Sequence, residues 1–413
     1  MFRKLMTFDE AKKAVSQHLK PEALGEEEIP LLEARNRVLK EDITSALDIP
    51  PFHRSTVDGY AVKAEDTFGA EENQPAKLEV CGTVNVGEPP RISLLKGQAA
   101  EIVTGAPVPE GADAVVMVED TERNDDELKV YGAVTSNENV MKKGADIRKG
   151  ETVLKTGRIL GSSEIGVLAA LGLTKVRVFR VPVVAVLSTG AEVTEPGKKL
   201  PPGKIYDINA YSLSTAVRES GAKPVYLGVV QDDQTALRKA LEHALAAADM
   251  VITSGGVSVG PKDITPQTVD SLGKPGLIVC GIAVKPGKPT TVAFVGGKPV
   301  FSLPGHPTSA LLMFHLLVRP VIRFLSGKPA EEDKRVMAVA GARMFSAKGR
   351  RTFVMVRLKR ESSKRFVAEP VETGASGAIT TLAKADGFVE IPENQQFVDA
   401  DEEVAVVLLR SVV

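Results

Sequence analysis

Two uninterrupted apolar runs set the tightest limit on what this chain folds into. Val183-Val184-Ala185-Val186-Leu187 carries no polar residue, and Met250-Val251-Ile252 is a second such run. A strand with one face in water alternates apolar and polar residues. A continuous run therefore predicts a strand covered on both faces. Around these runs the period changes to that of helices. Residues 209–220 read as a helix stopped at Gly221, and residues 235–248 place Leu237, Leu241 and Leu245 on one helical face. Residues 225–230 form a third strand. Residues 291–295 and 300–303 flank a Gly296-Gly297 turn, and 308–325 is a long helix. The alternation predicts a doubly wound, mainly parallel sheet over residues 181–329.

In such a sheet, ligands bind at the carboxyl ends of the strands. The Met250 run leads into Thr253-Ser254-Gly255-Gly256-Val257-Ser258-Val259-Gly260-Pro261-Lys262-Asp263. Gly255, Gly256 and Gly260 let backbone approach a ligand closely, Ser254 and Ser258 add hydroxyls, and the exposed N–H groups of the turn suit an anion. Asp263 stands where a carboxylate meets a metal ion riding on that anion. Thr265 is placed to cap the following helix, with Pro266 at its first position. The stretch matches neither the P-loop nor the G-x-G-x-x-G pattern. Other strand ends carry Ser188-Thr189-Gly190 with Glu192, then Asp232, then Ser302 to His306, and Lys285-Pro286-Gly287-Lys288-Pro289 is a stiff cationic loop. Each carboxylate alone reads as a cap or a surface group, and His306 alone as a polar turn residue. Together, carboxylates, glycine turns and lysines suit an Mg²⁺–phosphate ester.

The flanks differ in texture. Thr7-Phe8-Asp9-Glu10 has capping-box spacing before a first helix, and residues 31–39 read as a second helical stretch. From Ile49, two prolines force an extended loop, and residues 76–140 show short β-like runs separated by Gly, Pro and Asn. Within them, Thr104 to Asp113 is a long turn, and Lys142 to Gly150 is a polar loop before a short helix at 162–171. Residues 336–413 again read as β. The expected domains are 1–48 with 141–180 (helical and linker), 49–140 (a small inserted β domain), 181–329 (α/β) and 330–413 (all β). The fold class is thus α/β plus β.

Composition excludes several functions. The 413 residues carry a formal net charge of −1, 43% hydrophobic residues, 5% aromatics and no Trp. Nothing here fits nucleic-acid binding or a base-stacking platform. No apolar run nears the ~18 residues of a membrane span, and Met1 to Glu10 lacks a signal-peptide core. Cys81 and Cys280 make neither a disulfide framework nor a four-thiolate zinc site, which fits a reducing cytoplasm. There is no H-E-x-x-H and no G-x-S-x-G elbow.

Seven segments in order, Pro51 to Val62, Thr104 to Asp113, Gly144 to Gly150, Leu187 to Glu192, Ser254 to Asp263, Lys285 to Pro289 and Leu303 to Ser309, resemble the molybdopterin molybdenumtransferase (MoeA) family, which includes the E domain of gephyrin. The resemblance spans essentially the whole chain. It implies four subdomains, an elongated homodimer with a site at the dimer cleft, and a substrate pair of adenylylated molybdopterin and molybdate. The implied reaction cleaves the bond to AMP with Mg²⁺ and places molybdenum on the dithiolene sulfurs. Carried over, Asp58, Asp146, Glu192, Asp232 and Asp263 are the functional carboxylates, with Asp232 and Asp263 serving Mg²⁺. Thr104, Ser188, Thr189, Gly190, Ser254, Gly255, Gly256, Ser258, Pro304 and Gly305 line the substrate site. Lys285, Lys288 and Ser309, with Arg350 from the last domain, hold the oxyanion. Transient contact with molybdopterin adenylyltransferase and with molybdoenzyme maturation proteins is implied as well.

Three positions depart from the family pattern: His306 where Asn is usual in P-G-N-P, Gly281 where some members carry a basic residue, and Ala378 where some have serine. Two other functions share the central fold, a molybdopterin adenylyltransferase and a non-catalytic scaffold. The flanking regions argue against the first, the intact carboxylate set against the second.

Overall fold

A computed structural model of the chain describes residues 5–19, 24–231, 233–256, 264–330, 332–362, 365–371 and 379–409. The chain forms two compact units. One comprises the described residues within Met1–Glu27, Asn36–Val38 and Val178–Val413, the other Glu28–Arg35 and Leu39–Arg177.

The larger unit begins with helix α1, Phe8–His18. Its capping box closes as the spacing predicts: the Thr7 hydroxyl accepts from Glu10 N at 3.2 Å and the Glu10 carboxylate from Thr7 N at 2.8 Å. The sheet follows as β1 (Val183–Thr189), α2 (Asn209–Glu219), β2 (Lys223–Val230), α3 (Gln234–Ala247), β3 (Met250–Ser254), α4 (Ile264–Asp270), β4 (Pro275–Cys280), β5 (Thr291–Val295) and β6 (Lys298–Leu303). Spatial order is β2-β1-β3-β6-β5-β4. The first four strands run parallel, and β5 is antiparallel to both neighbours. Alternate side chains divide between two cores. Val184, Val186, Met250, Ile252, Phe301 and Leu303 pack with residues of α1 and α2, while Ala185, Leu187, Val251 and Val300 pack with α3 and α4. The doubly covered sheet is what the unbroken apolar runs demand.

Beyond β6 the chain enters α5 (Pro307–Met313), a wide π turn at Phe314–Val318, and α6 (Arg319–Leu325). Pro320 lacks an N–H and would crowd the carbonyl four residues back, and the wide turn accommodates it. By length and composition the whole stretch is apolar enough to cross a membrane, but most of it is buried inside the protein as a core helix.

A six-stranded sheet completes the unit. It takes Val284–Lys285 from the α/β part, then Arg351–Ser362, Arg365–Pro370, Arg335–Ala340, Glu403–Leu408 and Gly387–Ile391, and the last strand pairs back onto Arg351–Ser362. The smaller unit holds another six-stranded sheet, ordered Ala114–Met117, Gly59–Val62, Gln98–Ile102, Ala76–Val84, Glu127–Val130, Thr121–Asn124.

Two local expectations fail. Residues 31–39 are not a helix: only Leu31–Glu33 makes a single tight turn, and Asn36 takes φ 62°, which no right-handed helix continues. Thr265 does not cap α4. It is a fully buried residue within the helix, which is already formed at Ile264.

Candidate functional site

The ends of β1, β3 and β6 lie side by side, because Ser188 pairs with Ser254 and Ser254 with Leu303 across the sheet. This brings together the predicted residues Ser188, Thr189, Gly190, Ser254, Gly255, Gly256, Pro304 and Gly305. The turn after β3 requires glycine. Gly255 and Gly256 have φ of 91° and 61°, and a Cβ on Gly255 would stand 2.0 Å from the Thr189 carbonyl oxygen. A Cβ on Gly256 would meet Thr189 Oγ1 at 2.5 Å. Thr189 Oγ1, beside the glycine turn, is buried with no partner among the described residues.

The residues that hold these ends together escaped the sequence reading. Asp207 and Asn209 open α2 and are 4% and 8% exposed. Asp207 Oδ1 accepts from the Ser188 hydroxyl and from Ala210 N, both at 3.0 Å, and Oδ2 accepts from the Tyr226 phenol at 3.2 Å. Burial first, and then the Asp207 carboxylate, push the Tyr226 phenol above its ordinary range. Asn209 Nδ2 donates to Ser254 Oγ at 2.8 Å and to the Gly305 carbonyl at 2.7 Å. The available signal was the Asp-x-Asn triplet before a helix, with Asp207 three residues ahead of Ala210 as a capping side chain would be.

Glu192 is exposed, and its carboxylate lies over Gly190, where a Cβ would approach Glu192 Oε2 to 2.9 Å. The Asp232-Asp233 pair divides: Asp233 caps α3, accepting from Ala236 N at 2.8 Å. Asp232, Ser258, Asp263 and Ala378 lie outside the described residues. Among the described residues, no group of three or more His, Cys, Asp or Glu side chains is placed to hold a metal. What the described strand ends do supply is oxygen: serine and threonine hydroxyls and turn carbonyls. That donor set suits a hard cation that keeps waters and rides on phosphate, not an all-protein cage.

The Lys285–Pro289 loop is anchored on two sides. Val284–Lys285 pairs in parallel with Arg351 and Thr352. Gly287, at φ 110°, sits so close to α5 that a Cβ would fall 2.4 Å from Met313 Sδ. Ser309 is one helical turn before Met313 and shares its face. The loop therefore lies against α5 and beside the start of the Arg351–Ser362 strand. Lys285 is exposed and Lys288 half-buried, and neither they nor Arg350 make an ion pair among the described residues. Arg351 next door is fully engaged. It meets Asp9 at 2.8 Å, Glu393 at 3.0 Å and Glu390 at 3.3 Å, and it lies over the Phe8 ring. Burial alone would lower its pKa, but the bonds to Asp9 and Glu393 outweigh it and raise the pKa.

In the smaller unit, three predicted loops are knitted together. Residues 54–55 pair with 140–141, Gly144 N donates to the Pro50 carbonyl at 3.0 Å, and Gly105 N donates to the Ser55 carbonyl at 2.9 Å. Asp58 is exposed, and its Oδ1 accepts from Thr104 N at 2.6 Å and Thr104 Oγ1 at 2.9 Å. Those two bonds, the backbone one first, lower the Asp58 pKa. Asp146 is exposed on the neighbouring loop, where its N donates to the Ile49 carbonyl at 3.0 Å.

An α/β enzyme whose anion-ready turns gather at the carboxyl ends of parallel strands is the class this fold and site define. Comparison with known proteins narrows it. Residues 6–172 match the MoeA N-terminal region (domain I and II), residues 185–323 a probable molybdopterin binding domain, and residues 337–409 the MoeA C-terminal region (domain IV). Molybdopterin molybdenumtransferase 2 of Mycobacterium tuberculosis is 36% identical, over 89% of this chain and 91% of its own. Two solved structures of molybdopterin biosynthesis MoeA proteins from Pyrococcus horikoshii are also similar. They share 43% and 33% identity with TM-scores of 0.87 and 0.80, covering 99% and 98% of this chain and 100% of each of theirs. The chain belongs to the MoeA family and is a molybdopterin molybdenumtransferase, an enzyme of molybdenum cofactor biosynthesis.

Proposed function

We propose that the chain takes adenylylated molybdopterin and molybdate as substrates, releases AMP with Mg²⁺, and leaves molybdenum on the dithiolene sulfurs. The observation that carries this reading is the clustering of the Gly255-Gly256 and Pro304-Gly305 turns at one end of the sheet, with the Lys285–Pro289 loop on the helix that follows. Gly256 and Gly305 are the turn residues assigned to receive the phosphates through backbone N–H groups, because Gly255 N donates to the Leu303 carbonyl and Pro304 has no N–H. Lys285, Lys288, Ser309 and Arg350 hold the oxyanion, with the lysines acting as point charges. Mg²⁺, when bound, neutralises phosphate oxygens, and Asp232 and Asp263 are the residues assigned to it. Glu192, Asp58 and Asp146 are assigned as the remaining functional carboxylates.

Purified protein incubated with adenylylated molybdopterin, Mg²⁺ and molybdate should release AMP, and Asp263→Asn should slow that release by about two orders of magnitude. AMP release that ignores molybdate, or no release by folded protein, would sink the reading. Formation of adenylylated molybdopterin from ATP would point to the adenylyltransferase instead.

We further infer a cytoplasmic homodimer in which each site draws on both chains, with transient contact to the adenylyltransferase and to maturation proteins. Asp58 and Asp146 lie far in sequence from the glycine turns, and the family resemblance, which implies a site at a dimer cleft, supports shared sites. Mixing inactive Asp58→Ala with inactive Asp263→Ala protein should then restore part of the activity. No recovery after confirmed subunit exchange would mean that each site is built within one chain.

A further inference from the structure

We propose that Asn209, seated by Asp207, is a positioning residue for molybdenum transfer, fixing the phosphate-binding turn against the turn that follows β6. The proposal rests on the reading of Gly255-Gly256 as the phosphate site. Its basis is that one tripeptide, Asp207-Ile208-Asn209, ties four adjacent strands. Asp207 reaches β1 through Ser188 and the edge strand β2 through Tyr226. Asn209 reaches β3 through Ser254 and the turn after β6 through Gly305.

The orientation of the Asn209 amide is fixed by its partners. The Gly305 carbonyl can only accept, so the nitrogen must face it, and both amide hydrogens are then committed at 2.7 and 2.8 Å. Ser254 Oγ in turn donates to the Pro304 carbonyl at 3.3 Å, and Gly255 N donates to the Leu303 carbonyl at 3.3 Å. The two glycine turns touch: a Cβ on Gly305 would lie 3.6 Å from Gly255 Cα. Asn209 bridges them from α2, beside the direct Ser254–Pro304 bond. Its Oδ1 is buried and meets no donor in the described protein. The Asp207 carboxylate, with both oxygens engaged and 4% exposure, holds the start of α2 so that the amide arrives between the turns.

Turns that present N–H groups to a phosphate must be placed to a fraction of an ångström, and a misplacement of about 1 Å costs on the order of a hundredfold in rate. Asn209→Asp keeps the shape, removes both donors and sets a carboxylate oxygen against the Gly305 carbonyl. The expected result is a fall of at least about tenfold in kcat for AMP release. KM for adenylylated molybdopterin should change by less than about threefold, because an interaction needed for alignment is lost more in the transition state than in the ground state. A merely structural role would lower the thermal midpoint and the folded fraction while leaving kcat per folded enzyme unchanged. If Asn209→Asp does not fold, Asn209→Ser, which keeps one donor, is read by the same criteria. A folded variant with kcat within about threefold of wild type overturns the proposal. The phosphate reading fails separately: a folded wild type that releases no AMP sinks that reading, whereas an active wild type beside an unimpaired Asn209→Asp overturns only the role of Asn209.

Discussion

Thr104 holds Asp58 with two hydrogen bonds to a single carboxylate oxygen, from its backbone N at 2.6 Å and its hydroxyl at 2.9 Å. Both favour the charged form, so the Asp58 pKa is lowered from 3.8. The sign follows from linkage. A carboxylate with a lowered folded-state pKa contributes stability that is present above the unfolded value and lost as pH falls through the folded one. Thr104→Val removes the hydroxyl bond and keeps the backbone bond. The Asp58 pKa should then rise toward 3.8 without passing it. Carboxyl-carbon NMR titration reads this directly, and an unchanged pKa would show that the hydroxyl does not hold the charge.

His306 occupies the N-cap of α5, yet its side chain makes no capping bond. Pro307 follows at the first helical position, so the helix start is otherwise well formed. The resemblance places Asn at this position in most of the family, and Asn is among the best capping residues. His306→Asn should therefore stabilise the protein by about 0.5–1 kcal/mol, seen as a higher thermal midpoint. A lower midpoint would mean that the imidazole contributes something the cap does not replace.

How far the sequence shows the fold depends on whether its signals are local. The unbroken runs at Val183 and Met250 reveal a doubly covered sheet because burial on both faces removes polar residues directly. The glycine turn after β3 is legible for the same reason, since only glycine fits against Thr189. Residues 31–39 mislead because helical spacing there is overridden at Asn36 by a positive φ. Asp207 and Asn209 stay hidden because their partners, Ser188, Tyr226, Ser254 and Gly305, are up to 96 residues away in sequence. The pairing of Val284–Lys285 with Arg351–Thr352 is equally non-local, and it alone shows that the cationic loop belongs beside the last sheet.

Arg350 and Arg351 are adjacent but should behave oppositely. The Arg351 side chain is 16% exposed and bridges Asp9, Glu390 and Glu393, which are more exposed. Arg351→Gln leaves three carboxylates without their common cation. A cost of about 1–3 kcal/mol is expected, between that of a surface pair and that of a buried one, with the difference from wild type shrinking at high salt. Arg350→Gln should leave stability within about 0.5 kcal/mol while raising the molybdate concentration needed for half-maximal rate. Urea denaturation of both variants decides this, and equal stability losses would show that the two arginines share one structural role.

Lys285 and Lys288 test the oxyanion assignment most directly. Their loop is held by the Gly287–Met313 contact and by the pairing of Lys285 with Thr352. The loop backbone therefore needs little ordering when an anion arrives, and the ordering that remains is that of the two lysine stems. Molybdate is a dianion, so each lysine acts through charge, and glutamine keeps the length without it. Lys285→Gln and Lys288→Gln should each raise the molybdate concentration giving half-maximal AMP release by about tenfold, a change of about 1.4 kcal/mol. Binding of adenylylated molybdopterin should be nearly unchanged, because the proposed function assigns its phosphate contacts to the glycine turns after β3 and β6. Gly287→Ala gives an independent arm. A Cβ there would meet Met313 Sδ at 2.4 Å and would require φ 110° of a residue that avoids it. Either Met313 or the loop must shift, the positive φ strains the loop in both cases, and the molybdate dependence should weaken although both lysines remain. If neither lysine variant changes the molybdate dependence, the charge that holds the oxyanion lies elsewhere, and Arg350 is the next group to replace.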